Sequence, residues 1–282
     1  MIGVYDSGFG GLTVLRALRA RLPGHDFVYL GDSGRAPYGG RDLDTILDFA
    51  EQCVERLFDE GCAVVVVACH TVSCVALRHL QTRYATGANA ARRRILGVTI
   101  PAAEAAVAAS EGHIGLLGTA RTVASGTFVT EVHKLGGHSV TQRAAPLLAP
   151  LVEEGLTDGE LARLTVRHYL TDLEGCDTIV LGCTHYPLLR DVIVSETASR
   201  VLDPSAFVAE RLLDWLARHP DFAADGTGAL RVLCTGDTAA FQRHGARFLG
   251  EPIPEVEPVT AVAGRLVPRD PSAAPQGQFV RV

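Results

Sequence analysis

Ala63-Val64-Val65-Val66-Val67-Ala68-Cys69 is a run of apolar, mostly β-branched residues with no polar alternation. A strand with one wet face alternates apolar and polar side chains, whereas a strand covered on both faces does not. Thr178-Ile179-Val180-Leu181 repeats the pattern. Working outward, residues 2–6, 26–32, 95–98, 113–118, 139–143 and 230–234 also read as strands. Between them lie stretches of helical period at 12–22, 43–60, 75–84, 102–110, 123–135, 159–170, 187–196, 206–218 and 239–249. Strand followed by helix, repeated, predicts an α/β fold with mainly parallel sheets covered on both faces.

The two buried runs end alike. Cys69 is followed by His70-Thr71, and Cys183 by Thr184-His185, each at the mouth of a helical stretch. This echo predicts two similar α/β lobes with a cleft between them. The first lobe is expected to comprise residues 1–94 plus 205–249, and the second 95–204. The crossovers are placed near the arginine-rich stretch 82–94 and near Leu202-Asp203-Pro204-Ser205, with Ser205 as a helix cap. Residues 250–282 hold six of the 14 prolines and little periodicity, so they read as a C-terminal tail.

Composition excludes several classes. At 282 residues the chain suits one large or two modest domains, and its 47% hydrophobic and 21% charged residues are ordinary for a globular protein. A net charge of −6 speaks against a basic nucleic-acid face. No apolar run approaches the length of a membrane span, and the N-terminus has no basic region or cleavage site of a secretory signal. Seven cysteines in such a chain read as reduced thiols in a cytoplasmic setting rather than as disulfides.

Polar groups follow five of the strands: Asp6, Asp32, Cys69, Thr119 and Cys183. Open α/β sheets place their ligand crevice at such strand ends. Asp6-Ser7-Gly8-Phe9-Gly10-Gly11 opens a helix but lacks the third glycine of GxGxxG, where Thr13 stands, and the GK[ST] ending of a P-loop. Its glycines leave room for a small ligand beside Asp6 and Ser7. The glycine-rich loop Gly31–Gly40 fits either a solvated connection or a ligand loop. Cys53, Cys62, Cys176 and Cys234 read as packing residues, and Cys74 as packing or support. Cys69 and Cys183 differ, because a helix N-terminus favours thiolate. One such thiol would suggest a nucleophile; two on opposed lobes suggest another use. Zinc fits poorly, since the spacings are C-x4-C and C-x-H and no CxxC occurs. No metal and no cofactor are expected.

IGVYDSGFGGLTVL at 2–15, GDSGRAPYG at 31–39, VACHT at 67–71, LGT at 117–119, PLVEEG at 150–155 and LGCTHYPLL at 181–189 together resemble the glutamate racemases of the aspartate/glutamate racemase superfamily. The likeness runs from residue 2 to about 249. It implies cofactor-independent racemisation of glutamate by two thiols, serving peptidoglycan synthesis in the cytoplasm of a cell-wall-building bacterium. The catalytic set carried over is Cys69, Cys183, Asp6, His185 and Glu153, with Cys69 acting on the D-enantiomer and Cys183 on the L-enantiomer. Asp6 would assist Cys69; His185 and Glu153 would assist Cys183. Implied substrate contacts are Asp6, Ser7, Pro37, Tyr38, Gly39, His70, Thr71, Thr119, Thr122, Thr184 and His185. The implied partners are a small amino-acid substrate and a second copy of the chain, with no nucleic acid and no membrane.

The chain departs from the family at His70, where ACNTAS reads ACHTVS, and less consequentially at Gly34 and Ala145. An imidazole is bulkier than an amide and titrates near neutrality. That keeps open a superfamily racemase for aspartate or a hydantoin, and a catalytically silent relative that only binds a metabolite.

Overall fold

A computed structural model describes residues 1–89, 91–223 and 226–269. Eleven strands are found among them: β1 Ile2–Asp6, β2 Phe27–Gly31, β3 Val64–Val67, β4 Arg94–Gly97, β5 His113–Gly118, β6 Ser139–Ala144, β7 Thr178–Gly182, β8 Arg200–Leu202, β9 Leu230–Cys234, β10 Val256–Val262 and β11 Arg265–Pro268. They form a seven-stranded sheet in the order β11-β10-β9-β2-β1-β3-β4 and a four-stranded sheet in the order β6-β5-β7-β8. Every pairing is parallel except β10 with β11.

The unbroken apolar runs sit where sheets are covered twice. Every residue of β1, β2, β3 and β7 is buried. Ile2 of β1 pairs with Phe27 on one side and Val64 on the other, and Gly118 of β5 lies beside Gly182 of β7. This register brings the C-terminal ends of β1 and β3 together in one sheet and those of β5 and β7 together in the other. Among the described residues, no helix is long and apolar enough to cross a membrane.

Three expectations are corrected. The first crossover is not the stretch 82–94, and 95–204 is not one lobe, because β4 continues the large sheet: Ile95 pairs with Val65 and Leu96 with Val66. The arginines before it mimic a linker, but the two apolar residues after them complete the sheet edge. Helix Thr99–Ala109 then carries the chain from β4 to β5 and packs on helix Ser205–Arg218 and helix Thr127–Leu135.

Residues 250–268 are not a tail. Val256–Pro258 pair in parallel with β9, and Val259–Val262 pair with β11 through a turn at Ala263-Gly264, both of positive φ. Pro258 falls where β10 changes partner and Pro268 at the last paired position, so the prolines that hid the strands punctuate them. The remainder of the predicted tail, 270–282, lies outside the described residues.

Ser205 is not the cap of its helix. Pro204 occupies that position, and Asp203 Oδ1 accepts hydrogen bonds from both the N–H and the hydroxyl of Ser205 at 2.9 and 2.7 Å. A carboxylate two residues earlier therefore does the capping work predicted for the serine.

Candidate active site

Asp6 ends β1, Cys69 follows β3, Thr119 follows β5 and Cys183 follows β7. Each β-strand is held in depth by its neighbours, so the register fixes where these side chains emerge. All seven cysteines are free thiols.

On the large-sheet side, Cys69 is 5% exposed and its Sγ lies 3.5 Å from Ser7 Oγ. Burial, and next the charge of Asp6, push its thiol up to about 12 against the pull of Ser7 and the Val72 N–H. Asp6 is fully buried, and its carboxylate accepts from the Gly8 N–H at 2.9 Å and from Thr184 Oγ1 at 3.4 Å. Burial raises the pKa of Asp6, while His185 and these donors oppose the rise.

On the small-sheet side, Cys183 Sγ lies 3.9 Å from His185 Nδ1, and His185 Nε2 lies 3.0 Å from Glu153 Oε1. Burial pulls the imidazolium down, but the hydrogen bonds and charges of Cys183 and Glu153 outweigh it and hold His185 up to about 10. The two sides close on each other. Thr13 Oγ1 donates to Thr184 O at 3.1 Å, and a Cβ at Gly10 would stand 2.6 Å from His185 Nδ1, so only glycine permits this approach.

A cluster of hydroxyls bridges the cleft. Thr71 Oγ1 lies 2.9 Å from Thr119 Oγ1 and 3.5 Å from Thr122 Oγ1, and the last two are 3.0 Å apart. Gly39 packs against Thr119, and its carbonyl accepts from the Arg121 N–H at 3.1 Å. Pro37 is exposed in the same loop. Tyr38 contributes differently from a side-chain contact. Its ring is 1% exposed, and its hydroxyl donates to Asp32 and accepts from Tyr5 at 3.2 Å. Asp32 is also bound by Arg35 at 2.8 Å and Thr235 at 2.6 Å, so Tyr38 anchors the loop from beneath.

His70 is 5% exposed, and neither ring nitrogen has a hydrogen-bond partner among the described residues. Burial lowers its pKa to about 4, leaving a neutral ring at pH 7. A buried orphan of this kind costs roughly 1–3 kcal/mol until something pairs with it.

Sequence reasoning passed over Thr13 and the Tyr5–Tyr38–Asp32–Arg35 network. Asp32 carried a signal as a polar residue closing a buried strand, and Tyr38 only as an implied substrate contact, not as an anchor. Among the described residues no group of three or more His, Cys, Asp or Glu is placed to hold a metal ion.

The two thiols come from different sheets and lie close enough that the charge of Cys183 adds to the rise of Cys69. The family model for Asp/Glu/Hydantoin racemase matches residues 12–212. The chain belongs to that racemase family. A glutamate racemase of Aquifex aeolicus is 39% identical over 260 residues, covering 91% of this chain and 96% of that protein. Among solved structures, the racemase of Thermus thermophilus in complex with beta-chloro-D-alanine superposes with a TM-score of 0.81 at 38% identity, covering 92% of this chain and 96% of that one. The Francisella tularensis glutamate racemase in complex with D-glutamate gives 0.84 at 27% identity, with 92% and 97% covered. The racemase fold therefore spans both sheets.

Proposed function

We propose that the chain interconverts L- and D-glutamate by two-base proton exchange, Cys183 acting on the L-enantiomer and Cys69 on the D-enantiomer. The observation that supports this reading is that two buried thiols, each at the end of a strand of a different sheet, lie within electrostatic reach of each other. Inversion at carbon requires a proton removed from one face and another returned to the opposite face.

In the L-to-D direction, the Cys183 thiolate takes the α-proton, and the electron pair left on carbon delocalises into the α-carboxylate. The Cys69 S–H bond then breaks as its proton forms the new C–H bond on the other face. Cys183 ends as thiol and Cys69 as thiolate; D-to-L turnover is the same path reversed. The α-proton is weakly acidic, so donors fixed around the carboxylates lower the barrier. Ser7, Thr71, Thr119, Thr122, Thr184 and the Tyr38-Gly39 main chain supply them, with Pro37 shaping the loop. Burial and the charge of Asp6 make the Cys69 thiolate costly, and the substrate ammonium beside it offsets that cost. Asp6 supports Cys69; His185 and Glu153 support Cys183.

His70 pairs its orphaned ring with substrate, giving an N–H to a carboxylate where relatives offer an amide. The D-glutamate held by the Francisella relative favours glutamate over aspartate or a hydantoin. The product serves peptidoglycan synthesis in the cytoplasm, and the working form is a homodimer. Incubation with L-glutamate in deuterated buffer tests the reading. Loss of optical rotation with α-deuteration is expected; neither occurring would sink it, and binding without exchange would indicate the silent relative.

A further inference from the structure

His185 makes one firm hydrogen bond, to Glu153 at 3.0 Å, and one long contact, to Cys183. The contact to Cys183 is long, at 3.9 Å, and Glu153 at the other end has a side chain 44% exposed. A partner as exposed as Glu153 can shift and carry the imidazole with it, unless packing holds the ring. Something else must fix the ring plane.

Helix Thr238–Leu249 supplies it from the other side of the cleft. The helix is sharply bounded: Asp237 caps its start by accepting from the Ala240 N–H, and Gly250 ends it at φ 81°. Phe248, fully buried, meets the His185 ring in a T-shaped contact with centroids 5.2 Å apart and planes at 78°. Phe9 backs Phe248 at 6.3 Å and Phe241 at 5.0 Å, so the ring has little room to retreat. The preceding residue reaches the other half of the pair. Arg247 Nη2 donates to the Glu153 carbonyl at 2.8 Å, an approach open because Gly155 has no Cβ, which would stand 2.6 Å from Arg247 Nη1.

We propose that Arg247 and Phe248 are positioning residues that clamp the His185–Glu153 pair in line with Cys183. Two consecutive residues of one rigid helix fix both members, Arg247 through the main chain of Glu153 and Phe248 through the plane of His185. The clamp comes from an element packed on β10, while the pair it holds belongs to the small-sheet side. The charged and titratable groups around His185 are Cys183 and Glu153 in contact, Asp6 across the cleft, and Arg247 and His244 on the helix. The inference rests on the reading of His185 as the partner of Cys183.

The test is Phe248→Leu, which keeps most of the apolar volume and removes the ring, assayed on the full chain. A shift of a few tenths of an ångström to 1 Å in the imidazole lowers kcat by about tenfold or more. KM for glutamate changes by a smaller factor than kcat, because the variant displaces His185 and leaves the other substrate contacts in place. In spectra of protein labelled with ¹⁵N-histidine, the ring signals that vanish in His185→Asn should move in Phe248→Leu. A folded Phe248→Leu with wild-type kcat and unmoved His185 signals would overturn the clamp. Should that variant not fold, Arg247→Gln decides, since Arg247 is exposed: about a threefold fall in kcat with moved His185 signals supports the clamp, and no change in either refutes it. If the wild type exchanges no α-proton, the functional reading fails, and the spectra still report whether the ring is clamped.

Discussion

The two walls of the cleft each place a histidine close to a thiol, and the two histidines have opposite electrostatics. His70 follows Cys69, has no hydrogen-bond partner among the described residues, and burial drives it down to about 4. His185 lies two residues after Cys183, touches it and Glu153, and is held up to about 10. Burial alone makes an imidazole neutral; burial with a carboxylate and a thiol makes it a cation. The Cys183 wall therefore carries its positive charge in the protein, whereas the Cys69 wall receives one only when a substrate ammonium arrives.

The largest effects should fall on both thiols alike. Cys69→Ser and Cys183→Ser are each expected to lower racemisation by about 10²–10⁴-fold with the circular dichroism spectrum unchanged, since each removes one acid/base group. Full activity in either variant would remove that wall from the chemistry. Next comes the asymmetry itself. His185→Asn should reduce kcat on the order of 10²-fold, and Ser7→Ala, which removes the only hydroxyl at Cys69 Sγ among the described contacts, about tenfold. Equal losses would break the comparison.

Stability should show the same contrast against pH. The folded pKa of His185 is raised, so its contribution is fully present below the unfolded value of about 6.5 and fades as pH rises towards 10. Glu153→Gln should flatten that alkaline slope in urea titrations. The folded pKa of His70 is lowered, so the unfolded chain takes up the extra proton and stability falls as pH drops from about 6.5 towards 4, by up to about 3 kcal/mol. His70→Asn should remove that acid slope; an unaltered slope would mean the ring is not neutral and buried. The smallest effect expected is on substrate choice, with His70→Asn changing KM for glutamate several-fold and leaving kcat near wild type.

Much of this was legible in the chain, for a physical reason. Strands buried on both faces cannot alternate, so β3 and β7 announced themselves, and polar groups at their ends marked the cleft. The short β8, and β10 with its internal proline, carry no comparable pattern. The pairing of His185 with Glu153, 32 residues away, has no local signature and came only with the family resemblance. Tyr38 is a substrate contact only by what the family resemblance implies; packing reveals that its hydroxyl faces Asp32. Arg247 and Phe248 look like any helix residues, since what they touch is set by how the two sheets meet.

That meeting is sealed beside the thiols by Thr71, Thr119 and Thr122. A threonine hydroxyl donates and accepts with one rotor and carries no charge in the working pH range. An entering carboxylate exchanges places with one hydroxyl partner by a bond rotation, with no proton released to solvent and no ion pair to break. The seam thus opens to an anion without a proton transfer, and its opening adds no titration of its own to the pH dependence set by the thiols and His185.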